Sequence, residues 1–393
     1  MADQRDVAKL SEEFQEALVN FLADIVALPS ESCHEQRVAE RIAMEMTTLG
    51  YDEVFIDPMG NPIGRIGSGS RKLLLDSHID TVGVGDIEAW PRDPFTAVVR
   101  DGIMYGRGTS DNKGGMAAMV YGGAMLKRLG VPRDVSVYVV GTVQEEDCDG
   151  LAMEYILTHT VPGVQAVILG EATGLQVYRG HRGRMEIMVT ATGRSCHASA
   201  PERGVNAVYK LGPSIPAIEQ LNEQLAHDEF LGKGTIALTK IECRTGSLNT
   251  VPDRCVIYLD RRLTVGEGRD SAVREVQAVV GNAGRVEVLN YEQPSYTGLK
   301  IATDKYYPTW VLPDSHPLVQ HGLTSAAHVL GEERPSSKWV FSTNGVASMG
   351  KLHIPTIGFG PGQELHAHSV DDQIPIHDLM MAARFYAQFA MTW

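Results

Sequence analysis

The sequence lacks the features of several protein classes. Its five cysteines (Cys33, Cys148, Cys196, Cys243 and Cys255) are an odd number with no CxxC pair, which indicates a reduced, cytoplasmic chain without a disulfide framework. No apolar run reaches the length of a membrane span, and the N-terminal residues lack the apolar core of a secretory signal. The formal net charge of −14 argues against nucleic acid or an anionic membrane as partner. An anionic small-molecule substrate remains compatible with it, because a local arginine can outweigh a distant surface.

Length and patterning predict two domains. The 393 residues exceed what one hydrophobic core usually supports, and the composition, 43% apolar and 21% charged, is that of an ordinary globular protein. Apolar periodicity predicts helices over 9–27, 35–49 and 113–129. Between them lie β-rich runs at 54–56, 62–66, 72–79, 96–105, 135–143 and 166–169. Strands that alternate with helices predict an α/β fold with a mostly parallel central sheet.

Residues 185–290 have a different order of elements. The patterns predict strands over 185–191, 235–243, 255–263 and 285–290, with helices over 205–226 and 270–280. The order β-α-β-β-α-β is typical of a ferredoxin-like unit. The apolar strand pattern of the first part returns at 355–359. We therefore expect an inserted α+β domain over 181–293 within a discontinuous catalytic domain formed by 1–180 and 294–393.

Residues suited to divalent metals lie beside the turns that end the apolar runs. They are His78, Asp111, Glu146, Glu171 and His368. Two more carboxylates accompany them: Asp80 follows His78 closely, and Glu145 directly precedes Glu146. Imidazole and carboxylate together suit divalent metals. Five ligands are too many for one structural zinc and suit two metals that share a bridging carboxylate. Paired metals predict hydrolysis, because they activate water and stabilise a developing oxyanion.

Each residue taken singly has an ordinary structural alternative. His78 and Asp80 could be a structural pair at a strand end, Asp111 could cap a helix, Glu145 and Glu146 could lie in a solvated acidic loop, and His366 competes with His368. The joint pattern favours the metal site, because ligands of open α/β sheets bind at the carboxyl ends of the strands.

Several longer motifs, spread over nearly the whole chain, carry a family resemblance. They are GN at 60–61, HIDTV at 78–82, GRGTSDNKGG at 106–115, QEED at 144–147, GEATG at 170–174, CHASAPERGVNA at 196–207, NTVPDRC at 249–255 and GFGPG at 358–362. With these the chain resembles the dinuclear-zinc metallopeptidases and deacylases: aminoacylase, acetylornithine deacetylase, succinyl-diaminopimelate desuccinylase and glutamate carboxypeptidase. Within that family it is similar to a subgroup of bacterial hydrolases linked to selenium metabolism genes.

The resemblance implies a role for each residue of the metal cluster. Asp111 would bridge two divalent ions, most simply Zn²⁺, with Co²⁺ or Mn²⁺ as alternatives. His78 and Glu171 would complete one metal site, and Glu146 and His368 the other. Glu145 matches the general base and Asp80 the residue that orients His78. The peptide bond between Asp111 and Asn112 would be cis.

The resemblance also implies that the inserted domain acts as a lid and forms a homodimer. His197 matches a histidine that reaches into the partner subunit's site and supports the oxyanion. Asn249 and Arg262 match positions that hold a substrate carboxylate or the oxyanion, for which the planar fork of arginine is suited. Without the resemblance, His197 would be an ordinary loop histidine and Arg262 would form a strand-edge ion pair with Asp260.

Two departures from the family pattern affect the substrate. Many relatives have aspartate where this chain has Asn344. Relatives that cleave ureido groups tend to have histidine at the position of Glu171, so glutamate favours amide substrates. We therefore predict a metal-dependent hydrolase of N-acyl amino acids or short peptides, without nucleic-acid or membrane partners. The alternatives are an N-carbamoyl or ureido amidohydrolase on the same scaffold, and a binding or scaffold protein without catalytic activity.

Overall fold

The computed structural model describes residues 4–393, with side chains from residue 6 onward. Its α-helices are α1 (Gln4–Val26), α2 (Gln36–Thr48), α3 (Gly114–Leu129), α4 (Leu151–Tyr155), α5 (Ala207–Leu211), α6 (Ser214–Gln224), α7 (Arg269–Val280), α8 (Pro317–Leu330) and α9 (Ile376–Thr392). Within these described residues no helix is both long and apolar enough to cross a membrane. The five cysteines are free thiols.

The strands form one large sheet, a second sheet and several short ladders. They are β1 (Glu53–Ile56), β2 (Pro62–Gly67), β3 (Arg71–His78), β4 (Val98–Arg100), β5 (Ile103–Tyr105), β6 (Val135–Thr142), β7 (Ala166–Leu169), β8 (Gly180–His181), β9 (Gly183–Thr192), β10 (His227–Asp228), β11 (Gly232–Lys233), β12 (Thr235–Cys243), β13 (Arg254–Leu263), β14 (Arg285–Val288), β15 (Asn290–Tyr291), β16 (Thr303–Asp304), β17 (Tyr306–Tyr307), β18 (Trp310–Val311), β19 (Thr356–Gly358) and β20 (Gln373–Pro375).

The central sheet has the strand order β1-β2-β6-β3-β7-β19. The pairs β3–β6, β3–β7 and β7–β19 are parallel, whereas β1 and β2 form an antiparallel edge. The interior strands are rich in apolar residues and buried along most of their length, as in sheets covered on both faces. Helices α3, α9 and α1 pack together beside this sheet. These observations confirm the predicted α/β class with a mostly parallel sheet.

Close approach of α3 to the sheet requires a glycine. A Cβ atom on Gly115 would lie 2.3 Å from the backbone oxygen of Gly170 and 2.4 Å from Oδ1 of Asn112. Gly115 therefore lets the first turn of α3 pack against the end of β7, where Glu171 follows.

The second sheet has the order β12-β13-β9-β14, with antiparallel pairing throughout that path. Helices α6 and α7 pack on it. This is the arrangement of a ferredoxin-like unit, and its buried side chains form an apolar core separate from that of the central sheet. The core of the central sheet draws on residues from both before and after this unit. The predicted boundaries at 181 and 293 stay a prediction.

Two predicted elements differ from the structure. The predicted strand over 96–105 is a hairpin of β4 and β5, because Asp101 and Gly102 both adopt positive φ (52° and 78°) and form a tight turn. The predicted helix over 205–226 is two helices. Gly212 and Pro213 separate α5 from α6, since proline lacks the N–H that a continuous helix would use.

Candidate metal centre

The parallel strands of the central sheet bring four of the predicted ligands to one edge. His78 is the last residue of β3, and Glu146 and Glu171 follow shortly after β6 and β7. His368 lies in the loop after β19, the next parallel strand. Since parallel strands have their carboxyl ends at the same edge, side chains far apart in the sequence meet there.

Asp111 enters the cluster from the irregular turn Thr109–Lys113, directly before α3. The Asp111–Asn112 peptide bond is cis, as the resemblance implied. The carboxylate of Asp372 anchors the turn and accepts hydrogen bonds from the backbone N–H groups of Gly108 (2.6 Å) and Ser110 (2.9 Å). Asp372 was not among the residues that the sequence analysis singled out.

The two carboxylate oxygens of Asp111 face different histidines. Oδ1 lies 2.9 Å from Nε2 of His78, and Oδ2 lies 3.3 Å from Nε2 of His368. The same His368 nitrogen is 3.0 Å from Oε2 of Glu146. A carboxylate between two imidazoles is the arrangement that a bridging ligand requires.

The other acids of the cluster lie close to His78. Its Nε2 is 3.6 Å from Oε1 of Glu171 and 4.0 Å from Oε2 of Glu145. Two trios each have ligand-type atoms that all lie within 4.8 Å of one another: His78, Glu145 and Glu171, and His78, Asp111 and Glu146. Both trios have the size and the donor chemistry of a divalent-metal site.

Asp80 fixes both His78 and the following acidic loop. Nδ1 of His78 donates to the backbone oxygen of Asp80 at 3.0 Å, whereas the Asp80 carboxylate is farther away, at 3.4 Å. That carboxylate instead accepts the backbone N–H groups of Glu145 (3.1 Å) and Glu146 (3.0 Å) and the hydroxyl of Ser32. Donation from Nδ1 leaves Nε2 of His78 available as a ligand.

Burial and crowding shift the charges of the cluster. Burial raises the pKa of Glu145 well above its usual value; His78 opposes the rise, and Asp149 and Glu171 add to it. The pKa of Glu171 is likewise raised by burial. Hydrogen bonds to Asp111 and Glu146 raise the pKa of His368 to about 10. Several carboxylates in one place repel one another, and a bound cation would offset that repulsion.

Unpartnered buried atoms support the same conclusion. Within residues 4–393, Oε1 of Glu145 and Oε1 of Glu146 are buried without a hydrogen-bond partner. An unmet buried carboxylate oxygen is costly, and a cation at the cluster would remove that cost. The donor set, of imidazole and carboxylate, therefore fits divalent metal ions.

The cluster forms part of the wall of a cavity of about 330 Å³. Groups from both sheets and from the loops line it: His78, Asp111, Glu145, Glu146, Asp149, Glu171, Arg184, Arg262, Phe341, Ser342, Glu364, Ala367 and His368. Arg262 on β13 is thus at the cavity, and its guanidinium also binds Asp260, with Nε to Oδ1 at 2.7 Å. The ion pair with Asp260 is therefore present, although β13 is an interior strand of its sheet and not an edge. The role of Arg262 in substrate binding stays a prediction.

His197 and Asn249 lie on the surface of the chain, outside the cavity wall. Both are exposed, and neither is among the residues that line the cavity. They are neighbours, since the backbone oxygen of Asn249 accepts the N–H of Ala198 at 2.8 Å. One chain therefore does not bring them to the metal cluster, and the expectation that His197 acts in a partner's site stays a prediction.

Arg184 and Asp149 are cavity residues that the sequence analysis did not identify. Arg184, on β9, is the direct cross-strand partner of Arg262 on β13. The register of two strands that are distant in sequence could not be read from either strand alone. Asp149 follows the Glu145–Glu146 pair, where the sequence left a solvated acidic loop as an alternative, but only 5% of Asp149 is exposed.

Asn344 does not line the cavity. It is buried, and its Nδ2 donates to Oδ2 of Asp76 (3.0 Å) and to the hydroxyl of Thr142 (2.8 Å). Its Oδ1 accepts the backbone N–H of Gly150 at 2.8 Å. The departure at this position therefore concerns a buried hydrogen-bond network that supports the acidic loop.

Comparison with protein families gives one match across most of the chain. The model of "Peptidase family M20/M25/M40" matches residues 74–392. Among curated proteins, the uncharacterized protein YgeY of Escherichia coli (strain K12) is 45% identical over 390 residues, which cover 98% of this chain and 97% of that protein. A probable succinyl-diaminopimelate desuccinylase of Staphylococcus epidermidis is 27% identical over 386 residues, covering 91% of this chain and 92% of that protein.

Solved structures show the same fold at low identity. The M20 family metallo-carboxypeptidase Sso-CP2 of Sulfolobus solfataricus superposes with a TM-score of 0.74 at 19% identity, covering 95% of this chain and 98% of that one. Human carnosine dipeptidase 1 gives a TM-score of 0.72 at 16% identity, with 100% and 98% covered. These likenesses extend over both sheets.

Proposed function

Because the chain belongs to peptidase family M20/M25/M40, we propose that it hydrolyses the amide bond of N-acyl amino acids or short peptides with two divalent metal ions per subunit. Family membership makes it a metal-dependent hydrolase of the peptidase and deacylase type. The finer assignment rests on the carboxylate of Asp111, whose two oxygens face different histidines in a cluster that also contains Glu145.

The proposed ligands divide between two ions that share Asp111. His78 and Glu171 would hold one ion, and Glu146 and His368 the other. Zn²⁺ suits this mixture of imidazole and carboxylate, and Co²⁺ and Mn²⁺ suit it as well. When bound, the ions would polarise the scissile carbonyl and lower the pKa of the attacking water.

Glu145 is the proposed general base. It is buried beside the cluster, with Oε2 at 4.0 Å from His78 and Oε1 without a partner in residues 4–393. Its raised pKa suits a group that takes a proton from water near neutral pH and then gives it to the leaving amine. Asp80 holds the backbone of Glu145 and thereby its position.

The remaining roles concern the substrate and a second subunit. Arg262 would bind a substrate carboxylate at the cavity wall, and Asn249, the neighbour of His197, would bind a substrate carboxylate or the oxyanion. His197 would donate to the oxyanion in the site of the partner subunit of a homodimer. Its exposure and its distance from its own chain's cavity lining are what such an exchange requires.

The test of this proposal is a Glu145→Gln variant. With metal-loaded protein and a panel of N-acetyl, N-succinyl and dipeptide substrates, kcat should fall about 10²- to 10⁴-fold, the range for a general base, while the metal content stays at the wild-type level. Asp147→Asn removes the carboxylate that follows the Glu145–Glu146 pair and does not line the cavity, and it is the matched control. Retained turnover in Glu145→Gln would exclude this residue as the base. A wild-type enzyme that hydrolyses no amide of the panel would refute the activity.

The rival carbamoyl or ureido activity has no counterpart in the names of the relatives given above. The same panel decides it with N-carbamoyl amino acids. Release of ammonia from these, without product from the N-acetyl analogues, would select the rival.

A further inference from the structure

The cavity that holds the metal cluster contains a second polar pair, Asp149 and Arg184. None of the roles proposed above uses either residue. Asp149 lies in the loop after the Glu145–Glu146 pair, and Arg184 lies on β9 of the second sheet. The cavity wall thus combines groups from the two sheets at this point.

Asp149 is a buried carboxylate whose hydrogen-bonding capacity is unfilled. Only 5% of the residue is exposed, and Oδ2 has no hydrogen-bond partner within residues 4–393. Oδ1 is 3.7 Å from Nη2 of Arg184, which is too long for a hydrogen bond. A buried carboxylate in this state is costly unless a donor reaches it. The cavity therefore has a place for a donor beside Asp149.

Arg184 is engaged by other groups through Nη2 and through its planar face, while its Nε has no hydrogen-bond partner within residues 4–393. Its Nη2 lies 3.2 Å from Oε1 of Glu186, and its guanidinium carbon lies 4.8 Å from the centre of the Tyr307 ring. Lys305 also binds Glu186, at 3.2 Å. Arg184 therefore shares its charge among several groups and does not saturate Asp149.

The ion pairs beside Asp149 and Arg184 join equal numbers of cations and carboxylates, and the carboxylates of the metal cluster add further negative charge to the same cavity. Three cations (Arg184, Arg262 and Lys305) are in ion pairs with three carboxylates (Asp149, Glu186 and Asp260). We expect one carboxylate of the substrate to bind Arg262, and a second substrate carboxylate would add unbalanced negative charge. A cationic donor on the substrate suits the unfilled oxygen of Asp149 better.

The backbone on both sides of Asp149 is fixed. The N–H of Cys148 donates to the backbone oxygen of Gln144 at 3.0 Å, and the N–H of Gly150 donates to Oδ1 of the buried Asn344 at 2.8 Å. A carboxylate held in this way is preorganised, so that little ordering cost remains when a ligand binds.

We propose that Asp149 binds the free ammonium group of the substrate. An ammonium group carries three donors and a positive charge, and both suit a buried, unsaturated carboxylate. Within the hydrolase function proposed above, on which this inference rests, the preferred substrates are short peptides with an unblocked amino terminus. N-acyl amino acids, which lack the ammonium group, are the poorer substrates.

A matched pair of substrates tests the inference. L-Ala-L-Ala and N-propionyl-L-Ala differ only in the amino group on the acyl portion. We expect metal-loaded wild type to prefer the dipeptide in kcat/KM. In Asp149→Asn, which keeps the side-chain shape and removes the charge, this preference should fall about 10- to 100-fold. Asp147→Asn removes a nearby acid that neither contacts Arg184 nor lines the cavity, and it should leave the preference as in wild type.

Binding measurements separate failure of this inference from failure of the proposed function. In the Glu145→Gln background, calorimetry gives the affinity for each member of the pair, with and without Asp149→Asn. Hydrolysis of both compounds with equal preference in wild type and Asp149→Asn would overturn the role of Asp149 and leave the hydrolase intact. Preferential binding of the dipeptide that Asp149→Asn abolishes would support the role even if neither compound were hydrolysed. If the dipeptide bound with the same affinity with and without Asp149→Asn, the proposed role of Asp149 would be overturned.

Discussion

The two sheets of the molecule supply the site in different ways. The central sheet brings together three of the five proposed ligands: His78, Glu146 and Glu171 follow the ends of adjacent parallel strands, and His78 is 1% exposed. Asp111 joins them from the turn before α3, and His368 from the loop after β19. The second sheet supplies Arg262 to the cavity, whereas its other two predicted contributors, His197 and Asn249, are exposed elsewhere. One chain thus finishes the part of the site that would hold metal and leaves the part that would hold substrate unfinished.

The difference has a physical cause. The ends of parallel strands are fixed by the ladders between them, so their ligands need no further element to meet. His197 and Asn249 lie on loops at the other end of the second sheet, where they contact one another and the nearby Ser199 and Ser247. Loops with few long-range contacts are completed most easily by another molecule or by movement of the sheet that carries them.

Replacing His197 gives the largest effect that tests this comparison. We expect His197→Ala to lower kcat about 10²- to 10³-fold, the range for loss of one oxyanion donor, because the proposed partner site would lose its donor. Metal content should stay at the wild-type level, since no residue of the metal cluster contacts His197. Steady-state kinetics and metal analysis on the same preparation measure both quantities.

Mixing provides the control for that variant. Subunits with His197→Ala keep Glu145, and subunits with Glu145→Gln keep His197, so a mixed dimer regains one complete site. Randomly mixed dimers should recover about a quarter of wild-type activity, because half of the dimers are mixed and each has one working site of two. If mixed samples stay as inactive as the separate variants, the two sheets do not exchange residues between subunits.

Asn344→Asp tests the fixed side of the comparison and has the next largest effect. The new carboxylate would lie against Oδ2 of Asp76, where the amide now donates at 3.0 Å. We expect a loss of about 3 kcal/mol in the free energy of unfolding at pH 7.5, typical of an uncompensated buried charge. Urea denaturation midpoints of wild type and variant measure it.

The pH dependence identifies the cause of that loss. Burial already raises the pKa of Asp76 to about 6, and a second carboxylate would raise it further. Acids with raised folded-state pKa values bind protons more readily in the folded state, so the penalty should shrink as pH falls toward 5.5. Asn344→Ala removes the same hydrogen bonds without adding charge. If its penalty shrank equally with pH, repulsion between carboxylates would not be the cause.

The parts of the site that the sequence predicts are those fixed by strand ends. Apolar runs followed by acids or imidazoles predict His78 and Glu171 at one edge, because the sheet topology leaves them no other place. Arg184 was not predicted, because its position depends on the register between its strand and that of Arg262, which neither strand shows alone. Asp372 was not predicted, because it binds the turn of Asp111 from a position 262 residues after Ser110 in the sequence.

The last and smallest effect concerns His181, in the short strand β8 just before the second sheet. Its Nδ1 donates to the backbone oxygen of Arg182 at 2.9 Å, and its Nε2 accepts from the indole of Trp310 at 2.7 Å, so the ring is neutral. Burial lowers its pKa to about 4, and the nearby Arg262 adds to the effect. The unfolded chain therefore binds the proton first. The stability that neutral His181 contributes is complete above about pH 6.5 and is lost as pH falls from there toward 4.

Between pH 7.5 and 5.5 we expect the free energy of unfolding of wild type to fall by about 1 kcal/mol more than that of His181→Gln, which cannot titrate at this position. The difference between the two proteins in the free energy of unfolding, measured by urea denaturation at each pH, should change by that amount. The surface variant His227→Gln is the control for removal of a histidine. If the difference in the free energy of unfolding stayed constant with pH, protonation of His181 would not contribute to the loss of stability.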